Sequence, residues 1–277
     1  MLRRLIALSV VSLPFLVLGT DVSSAKEPPS PCALRAEGYG GMAIFDPDGD
    51  SNDQNAANAG GTGSVGCLFA PFHFQGDVFG DYTDVDRLSN FHPDYLSNVG
   101  GGGHIGIADE NVGAFEVTGG YNELAAHGSG GHGVWRVGGE GEYYVDAMTL
   151  GVQGGYMDAN AKALDTDFTS DGKGYYGRGL IRFYPMENLK LEGIGGVASL
   201  HGDVIPHARA LVEYRLGDTP LALFARWEGA FDNQMNQNFA VGGLRLYLFD
   251  SPATLRETDR RYFREACVHF LAGARTC

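Results

Sequence analysis

The amino-acid sequence predicts an all-β protein, an antiparallel up-and-down transmembrane β-barrel of about 12 strands followed by a short C-terminal amphipathic helix. Three observations carry that expectation. Period-two alternation of apolar and polar residues recurs from Gly38 to Phe249. The connections between the alternating runs are long and short in turn. After residue 25 nothing approaches the ~20 apolar residues of a spanning helix, so only strands are left to cross a membrane.

The chain opens with Arg3 and Arg4, an apolar run from Leu5 to Leu18 broken by Pro14, and a Ser23-x-Ala25 ending. This is the charge, core and cleavage pattern of a secretory signal peptide over residues 1–25. Its removal discards two arginines and Asp21, which leaves the mature chain one unit more acidic than the −14 of the whole. So acidic a protein repels nucleic acid, and that partner class is excluded. Residues 26–37 read as a linker.

Alternating runs then follow near Gly38–Phe45, Ser64–Ala70, Phe74–Tyr82, Val99–Ala108, Val112–Tyr121 and Gly133–Val145. Six more lie near Met148–Tyr156, Gly174–Tyr184, Leu189–Leu200, His207–Leu216, Leu221–Phe231 and Phe239–Phe249. Each is about the length of a tilted membrane strand. In the tenth and eleventh, Val212, Tyr214, Leu223 and Trp227 share one kind of face, and Glu213, Arg215, Arg226 and Glu228 the other. Most of the 42 glycines sit inside such runs, as in "VGGGGHIGI" and "VQGGY", where they thin a wall that another group approaches.

Even-numbered strands are followed by short turns at Pro71, Asp109, Asp146, Pro185 and Gly217. Odd-numbered strands are followed by longer loops, among them "DPDGDSNDQNAANAGGT", "TDVDRLSNFHPDYLSN", "NELAAHGSGGH" and "MDANAKALDTDFTSDGK". Tyr39, Tyr82, Tyr121, Tyr143, Tyr156, Tyr175, Tyr184 and Phe231 fall near strand ends, where interfacial girdles belong.

In these features the chain resembles the bacterial outer-membrane β-barrel proteins of the 12-stranded, porin-like size, over roughly Gly38 to Phe249. The resemblance implies residence in the outer membrane of a Gram-negative bacterium, contact with its lipid, short periplasmic turns and long outer loops. Residues 26–37 become a periplasmic N-terminal linker, 38–249 the barrel and 250–277 a periplasmic tail. "NFAVGGLRLYLF" resembles the aromatic-ended signal read by the barrel assembly machinery, although 28 residues follow it.

Eight bases lie on the polar faces: Arg136, Arg178, Arg182, Lys190, Arg209, Arg215, Arg226 and Arg245. Turning one toward mid-membrane lipid costs ~2 to 4 kcal/mol. Eight such residues exceed the ~5 to 15 kcal/mol of a whole domain, so the charges face the lumen. Eight acids share that face: Asp77, Asp81, Glu116, Glu140, Glu142, Glu192, Glu213 and Glu228. Five of the acids lie on strands three to six and seven of the bases on strands eight to twelve, opposite sectors of a closed barrel. One reading is a transverse field resembling the constriction of general porins. The other is a salt-bridge network that fills the lumen, since 12 strands fall between filled eight-stranded and open sixteen-stranded barrels.

Other motifs weigh less. Asp46, Asp48, Asp50 and Asp53 suggest a calcium loop, but the glycine is misplaced and Ala57 stands where a bidentate Glu belongs, so a solvated acidic loop is expected. "GGGGH" precedes no helix and is not a phosphate loop. Outer-membrane proteases and phospholipases carry rim constellations, and His127, His132, His201 with Asp203, His207, and Asp84 with Asp86 are the candidates for one here. No nucleophile, base and orienting group emerge by spacing, so no enzyme, catalytic residue, metal or cofactor is expected. In the tail, Leu255, Tyr262, Phe263, Ala266 and Phe270 have helical spacing behind a Thr254-x-x-Glu257 capping box, a helix able to cover or enter the barrel mouth. Cys32, Cys67, Cys267 and Cys277 gather at one end, in an oxidising compartment, with three pairings open.

These observations lead to a narrow passive pore for small hydrophilic solutes or ions. A closed structural or surface-binding barrel is the alternative, and an outer-membrane enzyme a third.

Overall fold

The computed structural model describes residues 30–47, 54–84, 95–126, 132–160, 171–200, 203–231, 235–248, 254–264, 268–271 and 274–276. The 1–25 segment, the middle of the acidic 46–55 run, Asp86, His127, His201, Cys267 and Cys277 lie outside them. Twelve strands form one barrel: β1 (Cys32–Pro47), β2 (Gln54–Phe69), β3 (Phe72–Asp84), β4 (Tyr95–Asp109), β5 (Gly113–Ala126) and β6 (His132–Val145). The second half is β7 (Met148–Asn160), β8 (Asp171–Met186), β9 (Leu189–Leu200), β10 (Asp203–Arg215), β11 (Leu221–Phe231) and β12 (Met235–Leu248). Each pairs antiparallel with its sequence neighbours, and β1 closes on β12 from Leu34↔Leu248 to Pro47↔Met235.

All the expected strands form, and several run further than their alternation suggested. Cys32 to Glu37, read as linker, already belong to β1, with Arg35 and Glu37 turned inward. Residues 54–63, read as loop, are the first part of β2; Asn and Gly are poor strand formers, and only pairing with β1 and β3 makes them extended. The connections are correspondingly shorter. After β1, β3, β5 and β7 they span 48–53, 85–94, 127–131 and 161–170, but only 201–202 and 232–234 separate β9 from β10 and β11 from β12. The unbroken long-short alternation therefore holds for the first two thirds of the barrel. At the other end the turns are tight, as at Asp146, whose φ of 44° permits a reversal between β6 and β7.

Facing is as the energetic argument requires. Val78, Val99, Phe115, Val152, Leu223 and Leu244 are among the apolar side chains exposed on the outer surface. Aromatic rings gather near the long-loop end, with Tyr82 stacked on Tyr95 at 5.6 Å and Trp135, Tyr156 and Tyr175 in successive contact. Two expected girdle residues are instead interior: Tyr39 lies under the Arg226 guanidinium and Tyr184 donates to Asp259. Cys32 and Cys67, directly opposite across β1 and β2, form a disulfide.

The tail is helical only over α1 (Leu255–Tyr262), entered through the expected capping box: Thr254 Oγ1 accepts from Glu257 N, and Thr254 N donates to Glu257 Oε2. The helix stops before the predicted Ala266 and Phe270 positions, and Phe270 lies in β13 (Val268–Leu271), which pairs with β14 (Ala274–Thr276). Leu255, Tyr262 and Phe263 pack against Ala33, Ala222 and Tyr247 on the barrel's inner wall. β13 lies against β10 and β11, and β14 against β4 and β5, on the opposite side of the barrel.

Candidate functional site: a charged bore and its C-terminal plug

Because side chains alternate, the polar residues of every strand converge on the bore. All 16 lumen candidates lie there with buried side chains. The bases of β8 to β12 are bound mostly by acids of their own sector. Arg182 donates to Glu192 at 2.7 Å and to Glu142 at 2.9 Å, and Arg209 donates to the other Glu192 oxygen. Arg226 bridges Glu37 and Glu228, and Arg245 bridges Glu37 and Glu213. Lys190 reaches Glu213 at 2.8 Å and Asp259 of α1 at 2.9 Å. Several of these pairs sit directly opposite across adjacent strands, including Glu213↔Lys190, Arg182↔Glu192 and Glu37↔Arg245, the geometry in which opposite charges stabilise a sheet. Arg215 donates to the Thr219 carbonyl, Arg136 lies over the Tyr176 ring, and Arg178 faces Gln153 across β7 and β8. Asp81 is buried on β3 at the Gly60 position of β2.

The acidic sector of β3 to β6 is answered differently. Asp77 accepts from Gln75, and Glu140 from Gln153 and His104. Glu116 and Glu142 face the tail residue Arg264, whose Nε lies 3.2 Å and 3.7 Å from their carboxylates. Burial opposes the Arg264 charge, but Tyr144 and the carboxylates of Glu142, Glu116 and Glu140 more than offset it and hold the guanidinium above its ordinary range. Arg264 also closes its own helix, donating through Nη1 to the Asp259 and Arg260 carbonyls.

The uneven charge, read either as a field across the bore or as a salt-bridge network that fills it, meets complementary charges of the tail. Asp259 lands on the Lys190 and Tyr184 wall, and Arg264 on the Glu116 and Glu142 wall. Backbone contacts complete the fit. Gln75 accepts from Arg264 N and donates to Arg264 O, Tyr262 O meets His73, and Arg260 donates to the Asp146 and Met148 carbonyls at the short-turn rim. Gly66 makes room for this, since an added Cβ there would collide with the Tyr262 carbonyl.

Sequence reasoning missed Arg35, Glu37, His73, His104, Asp259 and Arg264 as interior groups. The first two lay in the presumed linker and His73 in a presumed turn. His104 was hidden by the glycines before it, and the tail residues are charges that a surface helix would turn to water.

No protein-family profile matches the chain. No curated protein sequence matches it either. Among solved structures it is similar to the translocator domain of the autotransporter NalP from Neisseria meningitidis, at TM-score 0.50 and 11% identity over 79% of this chain and 89% of that one. The beta domain of the Bordetella autotransporter BrkA follows at TM-score 0.49 and 13% identity, over 78% of this chain and 99% of that one. The KdgM porin reaches TM-score 0.47 and 10% identity, over 77% and 98%. At such identities the likeness speaks for the fold. With its apolar exterior and closed antiparallel sheet, the chain has the fold of the outer-membrane β-barrels, here with 12 strands.

Proposed function

We propose that the protein is an outer-membrane channel for small hydrophilic solutes or ions, held shut by its own C-terminal segment. The observation that supports this best is the division of labour in the bore: a wall of charged side chains, and a tail whose buried Asp259 and Arg264 complement the two sectors. In this reading residues 1–25 direct export, the tail and short turns are periplasmic, and the barrel assembly machinery inserts the chain. The 16 wall charges line the passage and set its selectivity once the tail leaves. The proposed role is non-enzymatic.

A closed structural barrel is the second reading. It is favoured by the ion pairs joining β8 to β12 and β1, which do not depend on the tail.

Planar-bilayer recordings on full-length protein and on Gly66→Val separate the two. The added side chain displaces Tyr262 without altering any charge, so the channel reading expects a quiet wild type and a conducting variant. A folded Gly66→Val protein that never conducts would leave the closed barrel as the better account.

A further inference from the structure

We propose that the acidic wall of the bore contains a binding site for a divalent transition-metal ion, of which Zn2+ is the type, with His104, Glu116 and Glu140 as ligands. The three lie on adjacent strands β4, β5 and β6, and one donor atom from each falls within 4.8 Å of the others. His104 Nδ1 is 2.6 Å from Glu140 Oε1 and 3.8 Å from Glu116 Oε2. Three protein ligands that combine imidazole with carboxylate and leave a fourth position open form a donor set suited to zinc.

The site is also built around its ligands. Glu116 and Glu140 are directly opposite in the β5 and β6 register, which brings two carboxylates together beside His104. Each carboxylate has one oxygen held by a neighbour: Gln153 donates to Glu140 Oε2 at 3.0 Å, and Arg264 to Glu116 Oε1 at 3.2 Å. Their other oxygens are the ones turned toward His104. Glu116 Oε2 is fully buried and has no hydrogen-bond partner, a costly state that a metal ion would relieve. On its far side, His104 Nε2 faces Asp77 Oδ2 at 3.7 Å, so a carboxylate stands ready to orient the ring. On binding, the metal takes the place of the hydrogen between His104 Nδ1 and Glu140, and one proton leaves for solvent when that nitrogen carries it.

Full-length protein refolded into detergent with Zn2+, then freed of excess metal, is expected to retain one zinc per chain by elemental analysis and to bind it stoichiometrically in calorimetry. His104→Ala and the isosteric Glu140→Gln should abolish this while leaving the far-ultraviolet circular dichroism of the barrel intact. Gln153→Leu, which removes the hydrogen bond that orients Glu140 while leaving all three ligands in place, should weaken affinity by about 10- to 100-fold. Wild-type protein without stoichiometric zinc would overturn the site. So would zinc that persists in both folded ligand variants, or Mg2+ retained as well as Zn2+. These readouts are independent of whether the barrel conducts.

Discussion

Replacing Arg264 by Gln removes the charge that ties the tail to the acidic wall. In the folded chain this fully buried guanidinium contacts Glu116 and Glu142 and caps two helix carbonyls. Removing one partner of a buried ion pair leaves an uncompensated charge and costs ~3 to 5 kcal/mol. Here the cost falls on docking of the tail, because the barrel's own ladders do not involve Arg264. At about 1.4 kcal/mol per tenfold change, the docked-to-free ratio of the tail falls by roughly two to three and a half powers of ten. Limited proteolysis should cut the tail of Arg264→Gln far faster than that of wild type, bilayer recordings should show openings, and the barrel's thermal transition should move little. Glu116→Gln alone and combined with Arg264→Gln completes a cycle whose coupling should fall within the ~0.5 to 3 kcal/mol of contacting residues. A variant whose tail stays protected while the whole barrel unfolds at lower temperature would refute the reasoning, and would make Arg264 part of a single rigid core.

Other perturbations test the wall, the belt and the staple. Combining Arg182→Gln with Arg226→Gln strips counter-charges from Glu142, Glu192, Glu37 and Glu228, so heat resistance should drop, and any current recorded in the Gly66→Val background should shift toward cations. Val78→Arg, at the middle of β3 on the exposed face, should cost ~2 to 4 kcal/mol in lipid, whereas Tyr175→Arg near a strand end should cost at most ~1 kcal/mol; equal effects in a bilayer unfolding assay would contradict the membrane placement. Reducing the Cys32–Cys67 bridge, which closes a 35-residue separation, should lower stability by about 4 kcal/mol in denaturant titrations. An epitope placed in residues 48–53 should label on intact cells, and one after Cys277 should not; the reverse would invert the topology.

Some of this architecture is decided by local chemistry and is therefore legible in the chain. Alternation in Val212 to Glu228 assigns each residue to a face wherever the backbone is extended, and the cost of arginine in lipid then decides which face is inside. The capping box at Thr254 is equally local, and α1 begins there. Strand ends are not local: Gln54 to Gly63 carry little β-propensity, and are extended because β1 and β3 supply hydrogen-bond partners on both sides. Nor did alternation place Glu37 or His104, whose partners Arg226, Arg245 and Glu140 lie 189, 208 and 36 positions away. The sequence by itself determined a barrel with a charged bore and an acidic and a basic sector. Only closure of the sheet, by bringing distant strands and the returning tail within ion-pairing range, decided that those sectors are satisfied by their own neighbours and by Asp259 and Arg264, because pairing depends on separation in space and no periodicity records it.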